Sequence, residues 1–262
     1  MKLAVFLILL HFVLYTNNNV ASFHKLQSSK PNSDSLLSKG LKDLLIAYPD
    51  FLDSAADNIL YWKDGTEMIY HDGISDKNHD DLLNNPDIED MMFQKYEKGT
   101  EWKSPPDFNF EPGRIRYEPF FLKMYGNNED EVRNNLTEVE WVDGSVVLFT
   151  KINSADKNLK SVVNELKDLP EEYQKYLKNI GGTFYWRVIA GTNRLSTHSF
   201  GIAIDINTKY SDYWKWNGNT EYVNRIPIEI ATVFEKYGFI WGGKWYHYDT
   251  MHFEFRPELL MN

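Results

Sequence analysis

One short stretch of this chain is compatible with almost nothing but a sheet that carries a polar site. From Phe200 to Asn207 the residues alternate, with Ile202, Ile204 and Ile206 on one side and Ala203, Asp205 and Asn207 on the other. Period-two alternation is the mark of a strand with one buried face. The Asp205 carboxylate then sits between isoleucines, where an unpaired charge is costly, so it needs a partner. Either a basic side chain or a metal ion shared with other ligands meets that need.

The surrounding sequence places further elements. Val146 to Ile152 reads as a strand, and Ser154 as the cap of a helix with Ala155, Leu159, Val162, Val163 and Leu166 on one face. Pro170 opens a second helix in which Tyr173, Tyr176, Leu177 and Ile180 repeat the pattern, and Gly181-Gly182 ends it. Thr183 to Ala190 is apolar and β-rich and reads as a buried strand. Pro227 to Tyr237 predicts a third helix stopped by Gly238. His252 to Arg256 reads as a final strand, with His252, Glu254 and Arg256 on one face and Phe253 and Phe255 on the other. Earlier, Ile59-Leu60-Tyr61-Trp62 and Met68-Ile69-Tyr70 flank an Asp64-Gly65 turn and predict a β-hairpin. Residues 71–81 read as a polar loop, Asp87 to Tyr96 as a short helix, Pro105-Pro106 as a break, and 114–125 fits helix or strand. No internal repeat or low-complexity linker divides the chain. Mixed helices and hairpin-spaced strands make α+β the expected class.

The N-terminus reads as a targeting segment. Lys2 is followed by nearly unbroken apolar sequence from Leu3 to Tyr15, then Asn17-Asn18-Asn19 and the small residues of Val20-Ala21-Ser22. Residues 1–22 are therefore expected to be a secretory signal peptide, with an uncleaved anchor as the other reading, and 23 to about 42 a polar lead-in. An exported protein without a single cysteine has no disulfides and must be held by its core and a metal. The formal net charge of −10 and the lack of any long basic run argue against nucleic acid as a partner. No membrane span is expected after signal cleavage.

Two segments carry the chemistry: Ser196-Thr197-His198-Ser199-Phe200-Gly201-Ile202-Ala203-Ile204-Asp205 and Asp249-Thr250-Met251-His252. Two imidazoles and one carboxylate suit zinc, and a catalytic zinc keeps a fourth position open. A bend at Gly201 can bring His198 and Asp205 to one ion, and small Ala203 leaves room for it. Asp249 lies three residues before His252, where a carboxylate can serve as a base. Taken singly, His252 also fits a hydrogen-bonded core histidine.

The ordered pattern S-x-H-x2-G-x-A-x-D followed by D-x-x-H resembles the VanY-like zinc peptidases, which include D-alanyl-D-alanine carboxypeptidases and L-alanyl-D-glutamate endopeptidases. Trp241-Gly242-Gly243-Lys244-Trp245 and Phe253-Glu254 resemble the same family's C-terminal block, so the likeness spans roughly residues 145 to 257. It implies a small antiparallel sheet flanked by helices, a zinc site on the sheet face, and an N-terminal extension (23–140) packed on a catalytic region (141–262). It also implies one Zn2+ per chain held by His198, Asp205 and His252, with Asp249 as catalytic base. Arg194 takes the place of the family's arginine for substrate or oxyanion, with Arg187 as the alternative. Ser196 either binds the substrate backbone or orders its loop, Trp245 and Tyr246 line a groove or fill core, and His247 assists as a second donor or is simply exposed. Glu254 orients a ligand or is structural. The implied substrate is a peptidoglycan stem peptide, met in the periplasm, the cell wall or outside the cell, and the implied reaction is carboxypeptidase or endopeptidase cleavage. The competing class is a zinc-containing wall-binding module without catalysis.

Overall fold

In the computed structural model, residues 37–216 and 221–261 are described. The expected signal peptide and most of the polar lead-in fall outside them. Where the lead-in is described it is already helical: α1 (Lys39–Ala47) starts behind Ser38, whose hydroxyl accepts the Leu41 N–H as an N-cap. The remaining order is β1 (Leu52–Ala56), β2 (Ile59–Trp62), β3 (Glu67–Ile69), α2 (His79–Asn84), α3 (Ile88–Phe93), α4 (Glu118–Tyr125), α5 (Glu129–Asn134), β4 (Leu136–Glu140) and β5 (Val146–Thr150). Then follow α6 (Ala155–Lys167), α7 (Glu171–Leu177), β6 (Ala203–Asp205), α8 (Ile228–Lys236), β7 (Phe239–Trp241) and β8 (His252–Phe255). Helices mix with three small antiparallel sheets, β1-β2-β3, β4-β5 and β6-β8-β7, so the class is α+β.

The hairpin around Asp64-Gly65 forms as β2–β3 and gains β1 as a third strand, which the sequence pattern does not reveal. Residues 118–125 resolve as helix, with Pro119 in the first turn, where a missing N–H costs no hydrogen bond. Helix α6 buries the predicted Ala155, Leu159, Val162, Val163 and Leu166. Ser154 stands at its N-cap position but in the left-handed region (φ 58°), and its hydroxyl makes no cap bond. Helix α7 stops at Leu177, before the two glycines.

The strand expected over Thr183 to Ala190 does not form. Only single bridges occur there, Gly182 to Asp205 and Val188 to Leu195, and Tyr185 and Val188 are exposed. Residues 185–189 do run antiparallel to 194–198 through a few backbone bonds, but the pairing is too broken to make a strand and leaves the segment half-exposed, walling a cleft.

The third sheet positions the chemistry. Ile202, Ile204 and Ile206 are fully buried, as their alternation requires, although regular pairing covers only β6. Phe253 stacks on Phe234 of α8 at 3.9 Å between ring centroids, fixing β8 against the helix. One hydrophobic core joins residues from both halves of the chain, including Leu44, Tyr48 and Phe121 with Phe149, Phe200 and Phe253.

Candidate metal and catalytic site

Pairing register sets the first two groups. Asp205 of β6 lies directly opposite His252 of β8, so their side chains share one face of the sheet. His198 arrives from a tight 3-10 turn, Thr197–Phe200, whose reversal into β6 runs through Gly201 at φ 65°. A Cβ at Gly201 would meet Leu136 Cδ2 at 2.5 Å, so glycine is required by conformation and by space. The Ser196 hydroxyl accepts the His198 N–H at 3.4 Å and caps this turn.

Three ligand-type atoms converge. His198 Nε2 lies 3.2 Å and His252 Nδ1 3.0 Å from the same oxygen, Asp205 Oδ1. The outward nitrogens are both occupied. His198 Nδ1 faces the Thr183 carbonyl, which can only accept, and His252 Nε2 sits 3.0 Å from Glu254 Oε2. Donation from these outer nitrogens leaves the inner ones bare, with lone pairs turned toward Asp205, as in metal sites oriented by carbonyls and carboxylates. Three lone-pair groups facing one point need a cation or a proton among them. Burial disfavours charge on His252, but Asp205 and Glu254 outweigh it and raise the imidazole to about 10. Burial also opposes charge on Asp205, and His198 and His252 overcome it, holding the carboxyl well below the usual range. A divalent ion can take that proton's place. The donor set of two imidazoles and one carboxylate therefore fits zinc.

Asp249 is partly buried beside these groups, and its Oδ1 is buried without a hydrogen-bond partner. Burial, reinforced by the charge of Asp205, pushes its carboxyl up to about 6. Its backbone is pinned by a bond from its N–H to the Gly242 carbonyl (3.0 Å) and by a bridge to Tyr213.

A cleft of about 170 Å³ opens over this group. Arg187, Arg194, Ser196 and Trp245 all line it, together with His198, Asp205, Asp249 and His252. Tyr246 is not part of the lining; it packs edge-on against Phe108. His247 turns away to pair with Glu111. Glu254 is fully buried, bonded to His252 and 3.0 Å from Arg256 Nη1. Burial would raise Glu254, yet His252, Arg116 and Arg256 hold it at about 2.

Arg114, Arg116 and Lys215 also line the cleft and escape the motif-based reading. Both arginines flank buried Ile115 and are themselves half-buried, on a turn rather than a strand. Arg116 is held down to about 10 by burial and by the charges of Arg256, Arg194 and Arg114, against the pull of Glu254. Among the described residues, neither Arg187 nor Arg194 has an ion-pair partner, and Arg194 Nε is buried without a hydrogen bond. So much uncompensated positive charge makes the cleft a receptor for anions.

Residues 190–255 match the family model described as D-alanyl-D-alanine carboxypeptidase, and over that region the chain is recognisably VanY-like. No curated protein and no solved structure matches it. Among the described residues no helix is long and apolar enough to cross a membrane.

Proposed function

We propose that this chain is an exported zinc peptidase that trims peptidoglycan stem peptides, with His198, Asp205 and His252 holding the ion and Asp249 as the catalytic base. The observation that carries the reading is the convergence of three oriented ligand atoms next to a carboxylate lifted to about 6, at the base of an arginine-lined cleft. The matched family supports peptidoglycan peptides as the substrate class.

Zinc, when bound, supplies Lewis acidity that polarises the scissile carbonyl and makes water nucleophilic near neutral pH. The protein's own groups do the rest. Asp249, with one oxygen free of hydrogen bonds, accepts the proton of the attacking water and returns it to the leaving amine. Arg194 and Arg187, lacking carboxylate partners, face the charge that grows on the carbonyl oxygen. Arg114 and Arg116 favour a substrate with a free carboxylate, which supports the carboxypeptidase reading over the endopeptidase one. Trp245, held by its indole N–H to the Pro112 carbonyl at 2.7 Å, gives the cleft a rigid apolar wall.

The test is hydrolysis of purified stem peptides by the full chain, with zinc added or chelated, comparing wild type with Asp249→Ala. Zinc-dependent release of a terminal D-Ala that vanishes in the variant is the expected result. Release of L-Ala from D-Glu instead would reassign the bond. Tight zinc binding with no product from any stem peptide would overturn the enzyme in favour of a wall-binding module.

A further inference from the structure

A second group of metal-type ligands lies outside the candidate catalytic site. His79 at the start of α2, Glu111 in the loop before α4, and His247 on the loop that carries Asp249 each offer one ligand atom, all within 4.8 Å of one another. These positions come from three distant parts of the sequence, so the grouping is a product of the fold.

Glu111 is the informative member. Its side chain is fully buried. Oε1 accepts the His247 backbone N–H at 3.0 Å and pairs with His247 Nδ1. Oε2 is buried with no hydrogen bond, 3.5 Å from His79 Nε2, which is itself buried and unbonded. Arg114 Nε approaches Oε2 at 3.6 Å, outside hydrogen-bond reach, while an Arg114 Nη1 N–H donates to the His247 carbonyl at 2.7 Å. A buried carboxylate oxygen and an imidazole nitrogen that face each other unbonded are both costly to leave so. Tetrahedral zinc with bonds of about 2.0–2.1 Å spaces its ligand atoms roughly 3.4 Å apart, close to the 3.5 Å between His79 Nε2 and Glu111 Oε2. Two imidazoles and one carboxylate favour a borderline ion such as zinc over calcium or magnesium, which prefer all-oxygen shells.

We propose that His79, Glu111 and His247 form a second zinc site, distinct from the His198–Asp205–His252 group and independent of any catalytic role for it. The ion displaces the proton shared by His247 and Glu111 and meets the open valences of His79 Nε2 and Glu111 Oε2. It ties α2 and the Glu111–Arg116 segment to the loop of Asp249, so it braces the wall of the cleft on which Arg114 sits.

The experiment is zinc content by mass spectrometry of the full chain equilibrated in buffered zinc, with urea unfolding midpoints as the fold check. Wild type should hold two ions per chain. His79→Ala and Glu111→Gln should each remove one ion, and His198→Ala should remove the other. His79→Ala changes a half-buried side chain at a helix start, so it carries the test if Glu111→Gln fails to fold. A single ion in wild type that persists in His79→Ala overturns the proposal, as do two ions that survive His79→Ala. A single wild-type ion that is lost in His79→Ala and kept in His198→Ala would count against the peptidase reading alone.

Discussion

At the scale of single residues, the site is built from groups whose acidities are pushed apart. Asp249 is raised to about 6 while Glu254, two residues past the last expected ligand, is held at about 2. A base works only when deprotonated, so hydrolysis should fall as pH drops below the Asp249 value. A bound cation next to it lowers that value further, which puts the acid limb of kcat/KM at about pH 6 or below. Asp249→Asn should cost roughly 10²–10⁴-fold in kcat/KM with zinc content intact. Glu254 acts through His252, because it fixes which imidazole nitrogen faces Asp205. Glu254→Gln should therefore weaken zinc binding about 10–100-fold, read by competition with a chromogenic chelator.

At the scale of elements, the motif residues are held by two local devices, the Gly201 reversal and the β6–β8 register. Gly201→Ala forces a left-handed alanine and pushes Leu136 aside, a loss of at least about 1 kcal/mol in urea unfolding. Phe253→Ala removes the ring stacked on Phe234 and should cost about 3–5 kcal/mol by the same measurement. These elements also show what a sequence can disclose. Helices α6 and α8 follow from periodicity because they bury one face, whereas β6 and β8 are legible because polar and apolar side chains alternate even though β8 is buried on both faces. Residues His198, Asp205, Asp249 and His252 stand out because their ordered pattern resembles the VanY-like motif; singly, each also fits a structural role. Thr183 to Ala190 misleads because an apolar run says nothing about whether a partner strand exists. Arg114 and Arg116 escape because the contact that gives them meaning lies more than seventy residues away. The Glu111–His247 pair is hidden for the same reason.

At the scale of the whole molecule, a buried chain of charges joins the first helix to the last strand. Tyr48, just past α1, donates its hydroxyl to Glu258 at 2.7 Å, and Arg256 bonds Glu258, Glu254 and the Gly113 carbonyl. Removing Arg256 strands two buried carboxylates, so Arg256→Leu should cost about 3–5 kcal/mol at pH 7. The sign with pH follows from Glu254, whose folded value lies below its ordinary 4.5. Its contribution is complete above about 4.5 and is lost as pH falls toward 2, so wild type should lose stability over that window. The urea midpoint of Arg256→Leu should fall less steeply there. The β6-β8-β7 order has a further consequence for timing. Strands β6 and β7 are synthesised first, yet the strand each pairs with in this sheet is β8, the middle strand and the bearer of His252. Until that strand emerges, Asp205 lacks the second of its two imidazoles, His252. The proposed metal site is thus completed only when the last strand takes its place in the sheet.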